Sequence, residues 1–308
     1  METETMASNG KVMAGEKPMK YFYYPGCSLK STGRAYEESL LEVFKALDVD
    51  LQEIDDWNCC GATAYMAVDD MKASALAARN LALAEMQSNG DGAQIIAPCS
   101  ACYLVLLKAQ KAIKEKKEKA NVLLEAMKNN GLYYTGKAKV RHPLDVLVND
   151  IGLEKIAART QKPLKGMRIA SYYGCQFVRP YSTFDEPYNP QTMDMLMAAL
   201  GADIVDWPLK TRCCGGTLTG TIEAIGQRLS YILLKEAEKR GADVVATACP
   251  LCQFNLECYQ DSMNRTFEDN LNLPVAYFTQ LMGLAFGISE KTLGFERLFV
   301  PLKTKAAV

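Results

Sequence analysis

Several signatures are missing from this sequence, and each absence removes a class of function. Positive charge is not in excess: 35 Lys and Arg face 36 Asp and Glu, for a formal net charge of −1. A nucleic-acid surface needs a basic footprint, so none is expected. No apolar run approaches the roughly 18 residues that span a bilayer. The opening stretch METETMASNGKVMAGEKPMK is polar and lacks the apolar centre of a secretion signal. It reads as a flexible extension (1–19) ahead of the first strand. The protein is therefore expected in the cytoplasm, either free or held by partners at the inner face of the membrane. Neither half follows its first strand with G-x-G-x-x-G, so no flavin or NAD is expected in this chain. TRCCGGTLTGT (211–221) is rich in glycine but lacks the Lys-Ser/Thr of a phosphate loop. Histidine is almost absent: His142 stands alone in KVRHPLDVL. It reads as a packed or capping residue, with proton donor and extra metal ligand as the alternatives.

Cysteine is what the sequence has in quantity. Eleven occur, at 27, 59, 60, 99, 102, 175, 213, 214, 249, 252 and 258. A cytoplasmic chain is the wrong place for a disulfide-stapled scaffold, so metal or redox duty is the better reading. Each half runs single Cys, then a Cys-Cys pair, then C-x-x-C. The neighbours repeat as well. YYPGCSL (23–29) matches YYGCQFV (172–178), and ALDVDLQEIDDWNCCG (46–61) matches ALGADIVDWPLKTRCCG (199–215). GAQIIAPCSACYLVL (92–106) matches GADVVATACPLCQFNL (241–256). The chain is an internal duplication.

One β-α layout fits both copies. Apolar and aromatic runs predict strands at 20–26 and 167–174, then 49–54 and 202–207, then 93–97 and 243–247. Helices are expected at 32–47 and 189–200, with Pro190 in a first turn. Further helices are expected at 69–89 and 222–240, and at 103–128 and 252–264. The charge-rich 107–130 reads as a solvated helix with one core-facing stripe. The fold class is α/β: two similar domains, each a small, mainly parallel sheet flanked by helices. The first domain is placed at 20–150, a linker at 151–166, and the second domain with its C-terminal tail at 167–308. Every cysteine element follows a predicted strand, where parallel sheets place their ligands.

The adjacent pair is the most informative feature. Cα atoms joined by a trans peptide lie about 3.8 Å apart, whereas an unstrained disulfide wants roughly 4.4–6.8 Å. Cys59 and Cys60 are thus two thiols, a strained redox bond, or two ligands of a larger object. A structural zinc site takes four ligands in compact paired spacing, whereas the two C-x-x-C pairs lie far apart and each keeps three more cysteines nearby. Thiol exchange at C-x-x-C leaves three idle. Iron–sulfur chemistry suits clustered thiolates best.

The pattern C-x31-CCG-x37-C-S-A-C, repeated as C-x37-CCG-x33-C-P-L-C, resembles the cysteine-rich CCG domain. A chain of two such domains, ending in PVAYFTQLMGLAFGI, resembles the B subunit of heterodisulfide reductase. The resemblance implies two non-cubane [4Fe-4S] clusters. Cys27, Cys59, Cys60, Cys99 and Cys102 would hold one, and Cys175, Cys213, Cys214, Cys249 and Cys252 the other. The neighbouring Gly61 and Gly215 would permit a tight turn. Cys258 has no counterpart and reads as a spare thiol. The implied activity is reduction or formation of a small disulfide between the clusters, a two-electron reaction. Lys30, Arg34, Arg179, Lys210 and Arg212 flank the cysteines and are candidate contacts for anionic substrate groups. No C-x-x-C-x-x-C-x-x-x-C-P run is present, so electrons must come from partners. The family implies a ferredoxin-like C subunit with cubane [4Fe-4S] clusters and a flavin-containing A subunit. Two other readings stay open. One is an electron-transfer subunit of a succinate, lactate, glycerol-3-phosphate or quinone-linked complex. The other is a thiol- or zinc-based scaffold or sulfur carrier.

Overall fold

The computed structural model describes residues 19–62, 64–89, 92–115 and 117–302. The expected N-terminal extension lies outside them except for Met19, which opens the first strand. Four strands form each sheet. In the first half they are β1 (Met19–Tyr23), β2 (Val49–Glu53), β3 (Gln94–Ile96) and β4 (Lys139–Arg141). In the second they are β5 (Arg168–Tyr172), β6 (Asp203–Ile204), β7 (Val244–Thr247) and β8 (Val275–Tyr277). The spatial orders are β2-β1-β3-β4 and β6-β5-β7-β8, every pairing parallel. The duplication read from the cysteines is therefore a duplication of topology. Helices cover the sheet faces, so the central strands read as continuous apolar runs. Val244, Val245, Ala246 and Thr247 of β7 are all buried.

The helix Asp70–Gln87 shows how sequence sets the packing. Asp69 caps it, accepting from the Lys72 N–H at 3.0 Å. Its buried Ala73, Ala77, Ala78, Ala82 and Ala84 let it lie close on the rest of the half.

Several boundaries differ from expectation; the helix expected at 252–264, for one, is two, Pro250–Cys258 and Gln260–Phe267. The expected helix at 103–128 begins earlier and is two helices, Ser100–Glu115 and Lys117–Asn129. The expected strand at 202–207 pairs only over Asp203–Ile204. Pro190 precedes its helix, which runs Thr192–Ala199 behind the cap residue Gln191. A short helix, Leu153–Arg159, occupies the segment read as a linker. The fourth strands β4 and β8 were not expected; three residues are too few to show a period.

The halves exchange equivalent elements. The helix Arg34–Ala46 packs on Phe278–Ala285 of the second half, and Thr192–Ala199 packs on the segment that follows β4 in the first. Ser100–Glu115 meets the short helix Cys175–Val178, and Pro250–Cys258 meets the short helix Gly26–Leu29. Across the first contact the Ser39 and Thr279 hydroxyls are 2.6 Å apart. Tyr36 and Tyr277 stack there with ring centres 4.5 Å apart and planes within 7°. One continuous core runs through both halves.

Candidate metal centre

Each parallel sheet delivers its cysteines at the carboxyl ends of its strands. Cys27 sits on the short helix after β1, Cys59 and Cys60 in the loop after β2, and Cys99 and Cys102 where β3 runs into its helix. Cys175, Cys213, Cys214, Cys249 and Cys252 repeat this after β5, β6 and β7. In the first half the Cys27 and Cys59 sulfurs are 3.9 Å apart, and those of Cys60 and Cys102 are 3.3 Å apart. In the second, Cys214 and Cys252 are separated by 3.5 Å, and Cys175 is within hydrogen-bonding reach of Cys213. Ser100 Oγ donates to the Ala248 carbonyl at 3.4 Å, so the turns carrying Cys99 and Cys249 touch across the interface. Two sulfurs on one tetrahedral ion with bonds of about 2.3 Å stand about 3.8 Å apart. The pairwise spacings are near that value. Yet among the described residues no three ligating side chains close around a single ion position. The sulfurs stand in pairs at the strand ends rather than in mononuclear cages. Such soft, sulfur-only donor sets fit iron–sulfur groups.

Backbone N–H groups face these sulfurs. Gly215 donates to Cys213 Sγ and Gly216 to Cys214 Sγ, each at 3.4 Å. The Gly61 and Ala62 N–H groups favour the thiolates of Cys59 and Cys60. Cys249 is the cap residue of the helix Pro250–Cys258, at whose N-terminus a thiolate is favoured. Thiolates gain from such an array. Sulfur contacts from Cys102 and Cys59 pull the Cys60 thiol down to about 4. Contact from Cys175, then the Gly215 N–H and Arg179, holds Cys213 at about 6. Cys252 and Cys99 hold Cys249 well below its usual value.

Three supporting features escaped the sequence reading. Tyr24 donates its hydroxyl to the Asn58 carbonyl at 2.7 Å, and Tyr172 donates to the Arg212 carbonyl at 2.7 Å. Each carbonyl belongs to the residue just before a Cys-Cys pair, so one phenol in each half fixes that loop. The only two tryptophans pack on these rings, Trp57 at 5.7 Å from Tyr24 and Trp207 at 6.1 Å from Tyr172. Gly26 and Gly174 are the third feature. Both have positive φ, and a Cβ there would lie 2.9 Å from Cys102 Sγ or 3.2 Å from Cys252 Sγ. Gly61 and Gly215 also have positive φ, of 76° and 96°, in keeping with the tight turn expected after each pair.

The basic candidates fall into different settings. Lys30 is paired with Glu37 and Glu53 at 2.7 and 2.8 Å, and Arg34 with Glu38 at 3.2 Å. Lys210 is buried, 3.1 Å from Asp194 Oδ1. Arg179 donates to the Thr211 carbonyl and acts electrostatically on Cys213. Arg212 is exposed beside the second pair. His142 is fully buried and caps a turn: Nδ1 accepts from the Leu144 N–H at 3.2 Å and Nε2 is 3.1 Å from the Pro98 carbonyl. Burial lowers its pKa to about 4, and both nitrogens are engaged by backbone, as a packed cap requires. Cys258 is partly buried, and burial and Glu257 raise its thiol pKa.

The comparisons agree with this geometry. The family model described as "Cysteine-rich domain" (CCG) matches twice, over residues 21–107 and 169–257. The 8-methylmenaquinol:fumarate reductase membrane anchor subunit of Wolinella succinogenes is 32% identical over 278 residues, 89% of this chain and 95% of that protein. A protein of Archaeoglobus profundus described as like the B subunit of heterodisulfide reductase is 30% identical over 287 residues, 90% of this chain and 94% of that one. The B subunit of the ferredoxin/F(420)H(2)-dependent CoB-CoM heterodisulfide reductase of Methanosarcina acetivorans is 29% identical over 288 residues, 90% and 93% of the two chains. The crystal structure of a hypothetical protein from Helicobacter pylori shares the fold, with a TM-score of 0.73 at 15% identity over 94% of this chain. This chain spans 53% of that one. With its cysteine order, sheet and family match all present twice, the chain belongs to the cysteine-rich CCG family, in the tandem form of the heterodisulfide reductase B subunit.

Proposed function

We propose that the chain is an iron–sulfur subunit of a multi-subunit reductase, exchanging electrons with a small disulfide or its thiols at two non-cubane [4Fe-4S] clusters. The observation that carries this reading is the two five-cysteine sets at the strand ends of facing sheets, whose C-x-x-C turns touch where Ser100 Oγ donates to the Ala248 carbonyl at 3.4 Å. Cys27, Cys59, Cys60, Cys99 and Cys102 would hold one cluster, and Cys175, Cys213, Cys214, Cys249 and Cys252 the other. Clusters in those places would supply one electron each, matching the two needed to open an S–S bond.

The chain's own residues supply position, dryness and charge. Cys60, Cys99, Cys102, Cys214, Cys249 and Cys252 are buried, whereas Cys27, Cys59 and Cys213 face solvent. The exposed sulfurs mark the open side. Arg179 and Arg212 stand there and suit anionic groups on a substrate. Lys30, Arg34 and Lys210 are already neutralised by carboxylates, so they are the weaker substrate contacts. A ferredoxin-like C subunit and a flavin-containing A subunit are the proposed electron partners. No helix of the described residues is long and apolar enough to cross a membrane. Membrane association would thus run through partners, and the proposed units remain 20–150 and 167–308.

The identity with the Wolinella subunit favours a second reading, in which the same sulfurs pass electrons from a quinol to another subunit without disulfide chemistry. The deciding experiment assays iron, acid-labile sulfide and zinc in anaerobic protein, then records paramagnetic resonance after oxidation with and without thiols. About eight irons, from two four-iron clusters, with a thiol-dependent signal support disulfide chemistry. The same iron with a quinol response and no thiol response supports the second reading. Zinc with little iron overturns both.

A further inference from the structure

We propose that the Tyr36 hydroxyl is a hydrogen-bond donor to sulfur at the junction of the two cysteine sets, so that a first-half residue conditions the second half's Cys249 site. The inference rests on the reading that these sets hold iron–sulfur groups.

Tyr36 is fully buried, and its hydroxyl has no hydrogen-bond partner among the described residues. Folded proteins rarely leave such a group unpaired, because its lost hydration is not recovered. Nor can it turn to water. The ring is stacked on Tyr277, and Phe278 packs on it edge-on at 5.9 Å and 75°. Both neighbours come from the second half. The groups acting electrostatically on the hydroxyl are Cys249, Tyr277 and Cys99, in that order. Tyr277, on which the ring stacks, pairs in register with Thr247, two residues before Cys249, so the phenol sits beside the second set's C-x-x-C turn.

No described side chain of either half answers the Tyr36 hydroxyl. Its O–H is left for an acceptor outside the polypeptide or for a thiolate drawn in when the site is filled. A hydrogen bond to a cluster sulfur favours the reduced state, which has the greater negative charge.

The test is Tyr36→Phe in the full chain, prepared anaerobically with and without iron and sulfide. The metal-free variant should match or exceed the unaltered protein in thermal midpoint, because no bond is lost. The loaded variant should gain less from loading than the unaltered protein does. Double-resonance spectra in water and deuterium oxide should show one of two paramagnetic centres losing an exchangeable proton coupling. That centre should also titrate at lower potential. Fluorotyrosine at 36, a stronger donor, should move the potential upward. Full iron with an equal gain on loading and an unchanged proton coupling overturns this inference alone. An unaltered protein that takes up no iron overturns the cluster reading as well.

Discussion

The first half exposes Cys27 and Cys59 to solvent, whereas the second exposes Cys213 and half-buries Cys175. The largest influences on Cys59 and Cys60 are other cysteines, then burial, then backbone N–H groups. Cys213 has in addition the positive charge of Arg179. Against this stand near-identical cradles: the same strand order, the same tyrosine on the same carbonyl, one tryptophan each. Duplication has kept the cradle and altered the field around it. Two sites with equal donors but unequal fields hold electrons at unequal potentials. Such a pair can give a direction to electron flow.

The sharpest way to break the comparison is to remove one sulfur from each half. Cys60→Ala and Cys214→Ala should each lower iron from about eight to about four per chain and erase one of two paramagnetic signals. Loss of all iron in either variant would show that the sites do not form independently. Next in size is an acid effect that belongs to one half. His142 follows β4 and Tyr277 ends β8, and each caps the helix that comes next. Burial lowers the His142 pKa from 6.5 to about 4 in the folded protein. Unfolded chains then bind the proton more readily, so stability is present above about pH 6.5 and is lost as pH falls toward 4. The full loss is about 3 kcal/mol. His142→Gln should flatten urea-unfolding stability across that window, while Tyr277→Phe should leave the slope unchanged.

The tyrosine clamps test sameness rather than difference. Tyr24→Phe and Tyr172→Phe should cost about 1–3 kcal/mol each, because a carbonyl loses its buried donor. Their unfolding midpoints should fall by similar amounts; a clear inequality would mean the clamps are not equivalent. The smallest effect is on the field. Arg179→Gln should lower the potential of the second site by roughly 20–40 mV, as expected for one partly exposed charge. A redox titration should find the first site unmoved.

Much of this was legible in the sequence, for identifiable reasons. Aromatic and apolar runs ending in Gly-Cys marked β1 and β5, and the repeated cysteine order marked the duplication. The parallel α/β layout followed from alternating elements. What stayed hidden depends on contacts distant in the chain. Tyr24 reads as one more core aromatic in a strand, since its partner is a main-chain carbonyl at residue 58. Lys210 reads as a free cation beside a cysteine pair, until its ion pair with Asp194 is seen. Tyr36 carries no motif at all. The strands Lys139–Arg141 and Val275–Tyr277 are defined by their neighbours rather than by their own residues.

The reciprocal packing of the halves has the form of an isologous dimer, with both protomers tethered in one chain. A tether replaces protein concentration by an effective concentration of millimolar order. The junction between the sulfur arrays therefore assembles equally well in dilute and crowded solution. The tether has a second effect. In a true homodimer every substitution appears on both sides of the axis. Here it appears once, so each half can change its own side of the junction alone.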